Sequence, residues 1–393
     1  MRLLQLGWFA MALVVAGCTH LNQWQVHDEF QGIGPVFQEA RELDVLIIHG
    51  MGQAMEGMST GPLNGYSRQL QTRLAHGVGI GNEHPTQLHV VTASGVPIGS
   101  IAITSFGDDS RRLTFYEVSW AEAVKPMKLA LLELADGKFR ETSPLENQRA
   151  PLNSAAKAFL NTHLADPLIY SGAFGPAIRE VASQAICLMT RGSPMAHGPC
   201  DFRAPAKSAA PIAMITISLG SAIVFDTILE LSRGTPDERA AAIQVAGATR
   251  HAYMFANQVP LLELRDVSTP SSPGWLDEYP CRSNRGQEAA AALPERGFGG
   301  FVQLRRQAMT KATEAGATLP VLAVTAFNDP NDVLTYFFTQ RFKNHCADVQ
   351  FSNVTVTNAE TLWLFLAADP VVAHTGYKAN SRVIDLVLHG AAQ

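Results

Sequence analysis

The sequence predicts an α/β protein built on a mostly parallel sheet. Three apolar runs, at residues 44–48, 212–217 and 319–327, have the length and composition of buried strands. Residues 221–231 follow the second run directly and repeat apolar side chains at helical spacing. Buried strands that alternate with helices are typical of a parallel sheet covered by helices.

The remaining apolar patterns add elements on both sides of these strands. About ninety residues separate the strand predicted at 113–120 from the one at 212–217, far more than one crossover helix requires. Helical patterns in this interval predict a helical cap insertion at about 121–208, which either screens an apolar substrate or only adds packing. The other predicted elements are a helix at 66–74, a hairpin from 87–91 to 101–104, strands at 252–257 and 349–357, and helices at 302–315 and 381–388.

The N-terminus has the pattern of an export signal. Residues 1–17 carry one positive charge, at Arg2, before an apolar run too short to anchor the chain in a bilayer. The run ends in Ala16-Gly17-Cys18, which resembles the lipobox of bacterial lipoproteins. The resemblance implies acylation of Cys18 and a lipid-anchored protein of the bacterial cell envelope, at the outer membrane. The alternative is a cleaved signal peptide with an incidental cysteine. We expect a tether at 18–42 and one domain at 43–393.

The composition fits an exported globular enzyme. Of the 393 residues, 47% are hydrophobic and only 17% are charged, against about 25% charged in an average domain. The net charge is −5, so nothing predicts a nucleic-acid surface. The partner that the lipobox resemblance implies is the membrane, and no nucleic acid is expected.

The cysteine count predicts two disulfides. Removing Cys18 leaves four cysteines, an even number for an oxidising compartment: Cys187, Cys200, Cys281 and Cys346. Three pairings are possible. We favour Cys187–Cys200, because it closes a short segment rich in turn formers, and this leaves Cys281–Cys346. A metal site made of four thiolates is the alternative, but no C-x-x-C pair is present. No cofactor is expected.

Ser218 is the candidate nucleophile. It lies between the strand at 212–217 and the helix at 221–231, where a tight turn would project its hydroxyl above the sheet. The N-terminus of the helix would offer free backbone N–H groups to an anion. Ser218 and Gly220 match the second half of G-x-S-x-G, whereas Thr216 replaces the first glycine. The alternative is an ordinary helix start with Ser218 as its capping residue.

A small glycine-rich loop, His49-Gly50-Met51-Gly52-Gln53, follows the strand at 44–48. It resembles the H-G-x-G oxyanion loop of esterases and lipases in the α/β-hydrolase family. The resemblance implies that the N–H groups of Met51 and Leu219 form the oxyanion hole. A phosphate or dinucleotide loop is less favoured, because G-x-G-x-x-G and a following Lys-Ser/Thr are both missing. The structural alternative is a plain turn with His49 packed.

Two later loops carry a candidate acid and base. The turn at 328–332, which follows the strand at 319–327, resembles the acid turn of α/β-hydrolases. Asp332 fits that position, Asp329 is the other candidate, and a solvated Asn-Asp-Pro turn is the structural alternative. His374 lies in a predicted loop between the last strand and the last helix, where this family keeps its base.

Ser218, Asp332 and His374 follow the chain order Ser, Asp, His of the α/β-hydrolase family. The resemblance extends from about residue 43 to 393 apart from the cap. It implies an α/β-hydrolase-like, doubly wound sheet and a serine hydrolase of the esterase or lipase type, which cleaves carboxylic esters and has a small ester or lipid molecule as its substrate. The alternative is a non-catalytic, hydrolase-like envelope lipoprotein that binds or scaffolds.

Overall fold

The fold is described from a computed structural model. It describes residues 24–51, 67–108, 110–135, 160–192, 199–266, 297–359, 361–362 and 367–391, with isolated positions at 150, 153, 156 and 157. The predicted signal peptide, Cys18, Cys281 and the residues from 267 to 296 lie outside these ranges.

Within the described ranges, nine strands form one mixed sheet in the order β1-β10-β9-β8-β7-β3-β6-β5-β4. The six strands from β10 to β6 in this order are parallel, whereas β1, β5 and β4 pair antiparallel at the two edges. Two further pairs, β11 with β12 and β13 with β2, are separate. The strands are β1 Gln25–Val26, β2 Phe30–Gln31, β3 Glu42–Ile48, β4 Glu83–Val91, β5 Pro97–Gly107, β6 Arg112–Ser119, β7 Ile212–Ile217, β8 Thr249–Phe255, β9 Leu322–Asn328, β10 Val349–Thr355, β11 Thr361–Leu362, β12 Ala367–Ala368 and β13 Gly390–Ala391.

Helices connect most of these strands. No helix in the described ranges is long and apolar enough to cross a bilayer. The α-helices are α1 Ile33–Ala40, α2 Arg68–Gly77, α3 Ala121–Ala135, α4 Ala165–Ser171, α5 Gly175–Arg191, α6 Gly220–Arg233, α7 Pro236–Ala248, α8 Val259–Leu262, α9 Gly297–Glu314, α10 Gln340–His345, α11 Pro370–Thr375 and α12 Ser381–His389. A π-helical turn at Leu160–Leu164 precedes α4, and 3₁₀ turns follow α8 at Glu263–Asp266 and α11 at Gly376–Lys378.

The sheet buries both of its faces. Successive side chains of a strand point to opposite faces. In β7, Ile212 and Met214 join the core formed with α5, α6, α7 and α9, whereas Ala213 and Ile215 join the core formed with α1, α2 and α12. Helices therefore cover the sheet on both sides, which explains why the central strands are continuous apolar runs.

The chain reverses its direction of travel across the sheet between β3 and β7. After β3 it builds the β4–β5–β6 side, and after β7 it builds β8, β9 and β10 on the other side. In open α/β sheets, ligands bind at such a reversal, outside the carboxyl ends of the neighbouring strands. His49 and Ser218 directly follow β3 and β7 at this point.

The predicted α/β class and mostly parallel sheet are confirmed, and the predicted strands agree with β3 to β10 within a few residues. Two local predictions differ. His374 lies in the short helix α11 rather than in a loop. Helix α5, predicted to belong to the cap, packs against α6, α7 and strands β5 and β6. It therefore belongs to the helical layer on the sheet; residues 136–149 and 193–198 of the predicted cap lie outside the described ranges.

The predicted Cys187–Cys200 disulfide is confirmed. The two Cα atoms are 5.8 Å apart, and the bond joins buried α5 to the segment that leads into β7. Cys346 is also disulfide-bonded. Its predicted partner, Cys281, lies outside the described residues, so that pairing stays a prediction.

Replacing Cys187 and Cys200 together by alanine should lower the free energy of unfolding by about 3 kcal/mol, because the bond closes a loop of thirteen residues in the unfolded chain. Urea unfolding of the oxidised protein and the double variant measures the difference. Equal midpoints and slopes would contradict a structural role for this bond. The alanine pair avoids placing new hydroxyls in the core.

Candidate functional site

Ser218 adopts a left-handed backbone conformation at the end of β7. Its φ is +52°, which non-glycine residues adopt in only a few per cent of cases. Its N–H donates to the carbonyl of Phe255 at 2.9 Å, so the residue is still tied to β8 as the chain turns into α6. The side chain is buried, and its Oγ has no hydrogen-bond partner among the described residues. The predicted sharp turn is therefore present, and Ser218 does not cap α6 with its side chain.

Two glycines allow the backbone segments around Ser218 to approach closely. A Cβ added at Gly50 would lie 2.6 Å from the carbonyl oxygen of Ile217 and 2.7 Å from the Cβ of Ser218. A Cβ at Gly220 would lie 2.8 Å from the carbonyl oxygen of Ile48. All three distances are shorter than real Cβ contacts, so the loop after β3 and the start of α6 require glycine at these positions.

Thr216 occupies the place of the missing first glycine without disturbing the turn. It is an ordinary residue of β7, in register with Ile48 on one side and Met254 on the other. Its side chain is 1% exposed, and its Oγ1 has no partner among the described residues. A glycine is therefore not needed here, since the close approaches occur at Gly50 and Gly220.

The two predicted oxyanion donors lie just beyond the carboxyl ends of β3 and β7. Leu219 is the N-cap residue of the fourteen-residue helix α6, and Met51 follows Gly50 on the loop packed against Ser218. Neither backbone N–H donates a hydrogen bond within the described part of the chain. An N–H at a helix N-terminus also carries the positive end of the helix dipole. These two groups are thus free to bind a developing negative charge.

His49 has a structural role in this loop. Its Nδ1 donates to the carbonyl of Gly50 at 2.7 Å, and its Nε2 accepts from the N–H of Trp120 at 3.2 Å. The Trp120 indole stacks on the imidazole and donates its Nε1–H to the His49 carbonyl. Burial lowers the pKa of His49 to about 3, so the ring is neutral and both nitrogens keep these bonds. Trp120 was not singled out from the sequence.

His374 and Asp332 form the predicted pair of base and acid. His374 Nδ1 lies 2.9 Å and 3.0 Å from the two carboxylate oxygens of Asp332, and both side chains are buried. Because Nδ1 donates to the carboxylate, the lone pair of the neutral ring is on Nε2. That nitrogen is buried and has no partner among the described residues. The unpartnered Nε2 can therefore accept a proton.

Asp329, the alternative acid, has a different role. Its carboxylate accepts hydrogen bonds from the backbone N–H groups of Asn331, Asn358 and Ala359. It holds the turn after β9 against the chain that follows β10. The geometry thus assigns the contact with His374 to Asp332.

Tyr377 supports Asp332 and was missed in the sequence. Its hydroxyl donates to Asp332 Oδ2 at 3.1 Å and accepts from the N–H of Asp329 at 2.7 Å. Burial, followed by the negative charge of Asp332, holds the pKa of the Tyr377 hydroxyl well above its usual value, so it stays a donor. Tyr377 lies three residues after His374, and this spacing places two side chains on the same side of a helical turn. The spacing could therefore have suggested that Tyr377, like His374, contacts Asp332.

The segment that carries His374 also contacts the end of β8. The Tyr377 ring stacks on Phe255, the last residue of β8, with 6.1 Å between the ring centroids. Strand β8 neighbours β7, which leads into Ser218. Asn257, next to this site, donates to the carbonyl of Tyr336 at 2.7 Å and fixes the acid loop to the end of β8.

Replacing Tyr377 by phenylalanine should slow the labelling of Ser218 by a fluorophosphonate, because the carboxylate of Asp332 loses a hydrogen-bond donor that holds it beside His374. Tyr253→Phe is the matched control, because that buried hydroxyl donates to backbone carbonyls away from the site. If both variants are labelled at the wild-type rate, Tyr377 does not position Asp332.

His49 and His251 should make the protein less stable as the pH falls below 6.5. Burial lowers their pKa values to about 3 and about 4, so in this window the unfolded chain binds protons that the folded protein does not. The contribution of these two groups to the free energy of unfolding is therefore fully present above pH 6.5. As the pH falls below 6.5, the free energy of unfolding decreases by about 1.4 kcal/mol per pH unit for each histidine. Urea unfolding between pH 7 and 5 measures the slope.

His49→Gln and His251→Gln should each remove about half of this slope, but only His49→Gln should also slow the labelling of Ser218. His251 stacks on Tyr253, and it has no hydrogen bond or ring contact with residues 49–51, the described part of the loop after β3. An unchanged slope in both variants would contradict the assignment of the two rings as buried and neutral.

No protein-family model matches this chain, and no curated protein or solved structure matches it. Among the described residues, no group of three or more His, Cys, Asp or Glu side chains is arranged to hold a metal ion. The functional interpretation therefore depends on the geometry at the carboxyl ends of β3, β7 and β9.

Proposed function

We propose that this protein is a serine hydrolase that cleaves carboxylic esters, with Ser218 as nucleophile, His374 as general base and Asp332 as the residue that orients His374. The observation that carries the proposal is that Ser218 has a left-handed backbone conformation while His374 is hydrogen-bonded to Asp332. Both Ser218 Oγ and His374 Nε2 are buried and lack partners among the described residues. A buried polar atom without a partner costs about 1–3 kcal/mol, which is tolerated where a substrate supplies the partner.

The first half of the reaction is acyl transfer to the enzyme. Ser218 Oγ bonds to the ester carbonyl carbon while its proton moves to His374 Nε2. The carbonyl oxygen becomes an oxyanion, which accepts hydrogen bonds from the N–H groups of Met51 and Leu219. The bond from carbon to the alcohol oxygen then breaks, and His374 returns its proton to the leaving alcohol. An acyl ester of Ser218 remains.

The second half repeats these steps with water. His374 takes a proton from water as the oxygen bonds to the acyl carbon, and then gives the proton to Ser218 Oγ as the acyl bond breaks. A carboxylic acid is released. Asp332 keeps its negative charge throughout, and the low dielectric of the buried site strengthens its attraction for protonated His374.

Substitutions in the three roles test the proposal. Ser218→Ala and His374→Ala should each lower kcat for p-nitrophenyl butanoate by about 10⁴-fold or more. Asp332→Asn should also cost about 10⁴-fold, since an amide favours the wrong tautomer of His374. Asp329→Asn is the matched control and should cost far less, because its carboxylate bonds only backbone groups. Full activity of Ser218→Ala would exclude this mechanism.

Covalent labelling separates this function from a binding or scaffold role. A fluorophosphonate should add to Ser218 of the folded wild-type protein. Mass spectrometry of the peptide that contains residue 218 should detect no adduct in the Ser218→Ala or the His374→Ala variant. A folded protein in which Ser218 forms no adduct would favour the non-catalytic alternative.

A further inference from the structure

The N-terminal end of the described chain lies at the same edge of the sheet as Ser218. Strand β1 pairs antiparallel with β10, and Gln25 is opposite Thr355. Thr355 is in register with Asn328, the last residue of β9, and β9 leads into the loop that carries Asp332. The chain therefore joins the sheet at the carboxyl ends of the parallel strands, where the candidate site is located.

The residues on either side of β1 contact both segments of the candidate site. The guanidinium of Arg382 lies 3.6 Å from the centroid of the Trp24 ring. Arg382 belongs to α12, which follows α11 and the 3₁₀ turn that comes after His374. On the other side of β1, the ring of His27 packs edge-on against Phe337, with 5.5 Å between the ring centroids. The N-terminal segment is therefore held beside the parts of the chain that carry the proposed base and acid.

The predicted acylation site is only a short length of chain away from this contact. Five residues separate Cys18 from Trp24. The six steps from one Cα atom to the other span at most about 20 Å. A folded domain of about 370 residues has a radius of gyration of about 21 Å and is more than about 40 Å across. An acylated Cys18 would thus hold the carboxyl edge of the sheet near the bilayer, because the chain is too short for the opposite edge to face it.

Exposed apolar side chains are grouped at this edge. The eight residues that follow Asp332 include no charged side chain. Three large apolar side chains among them are exposed, and two more are exposed on α11 just before His374, which is hydrogen-bonded to Asp332. These five side chains are called the apolar rim: Val333, Tyr336, Phe337, Val371 and Val372. Grouped exposed apolar side chains mark interaction surfaces, and aromatic ones such as Tyr favour the interface between membrane and water.

We propose that the apolar rim docks on the surface of the bilayer that holds the acylated N-terminus, so that the carboxyl ends of β7 and β9 face the lipid. A bilayer is favoured as the occupant by the short chain between Cys18 and Trp24 and by the uncharged sequence after Asp332. Docking depends on the anchor and on exposed side chains. It therefore goes beyond the proposed ester hydrolysis and does not require turnover at Ser218.

The test measures which edge of the acylated protein lies against lipid. A fluorescent label is attached to a cysteine introduced by Val333→Cys or by Phe337→Cys, and the protein is reconstituted into vesicles of phosphatidylglycerol and phosphatidylcholine. Val321→Cys is the matched control, because Val321 is also exposed but precedes β9 at the opposite edge. Brominated acyl chains quench only labels close to them. They should therefore quench the labels at 333 and 337 and leave the label at 321 unchanged.

A charge in the apolar rim should weaken docking. Adding Val333→Asp to the labelled Phe337→Cys variant should lower the quenching about twofold or more, because the rim loses apolar area and a carboxylate must lose water on docking. Adding Val321→Asp to the same labelled variant is the matched control and should leave the quenching unchanged.

Equal quenching at all three positions, or none at 333 and 337, would overturn the proposal. An unmodified Cys18 in the mass spectrum of the mature N-terminus would also overturn it. Labels at 333 and 337 that become shielded at high protein concentration without vesicles would assign the apolar rim to a second copy of the chain, against the proposal. Ser218→Ala should be quenched like the wild type. Absence of ester hydrolysis together with quenching at 333 and 337 would refute the proposed function and support docking.

Discussion

The left-handed backbone at Ser218 is the constraint on which the site depends. A non-glycine residue in this conformation costs about 1–3 kcal/mol, so the surrounding structure has to enforce it. The bond from Ser218 N–H to Phe255 holds one side, and the contacts of Gly50 and Gly220 leave no space for the chain to relax. The same turn leaves the Leu219 N–H and the buried Ser218 Oγ without hydrogen-bond partners among the described residues.

Buried polar groups then hold the other loops around this turn. His49, kept neutral by burial, joins the loop after β3 to Trp120 at the end of β6. Tyr377 joins Asp332 to the backbone of Asp329 after β9. His49 bonds groups from two segments, and Tyr377 ties its own segment to the turn after β9. These loops therefore cannot move independently without leaving a buried donor or acceptor unsatisfied. These bonds thus hold in place the loops that carry the proposed oxyanion donors and the proposed base.

The fold was largely predictable because its central strands are buried on both faces. Such strands read as continuous apolar runs, and β3, β7 and β9 were each recognised in this way. Helix α5 was assigned to a cap because sequence spacing cannot distinguish a helix above the site from one packed on the sheet. His374 was placed in a loop because α11 has only six residues, too few for a helical pattern to be distinguished.

The sequence by itself determined the class of fold and the order of Ser218, Asp332 and His374, because apolar periodicity and turn-forming residues are local features of the chain. It favoured the Cys187–Cys200 pairing among three possible ones, and the structure contains that bond. Tertiary structure alone decided between Asp332 and Asp329 and assigned roles to His49, Trp120 and Tyr377. These distinctions depend on hydrogen bonds between residues up to 71 positions apart, as between Trp120 and His49. Both aspartates follow the same strand, and only the position of His374 in space makes them different.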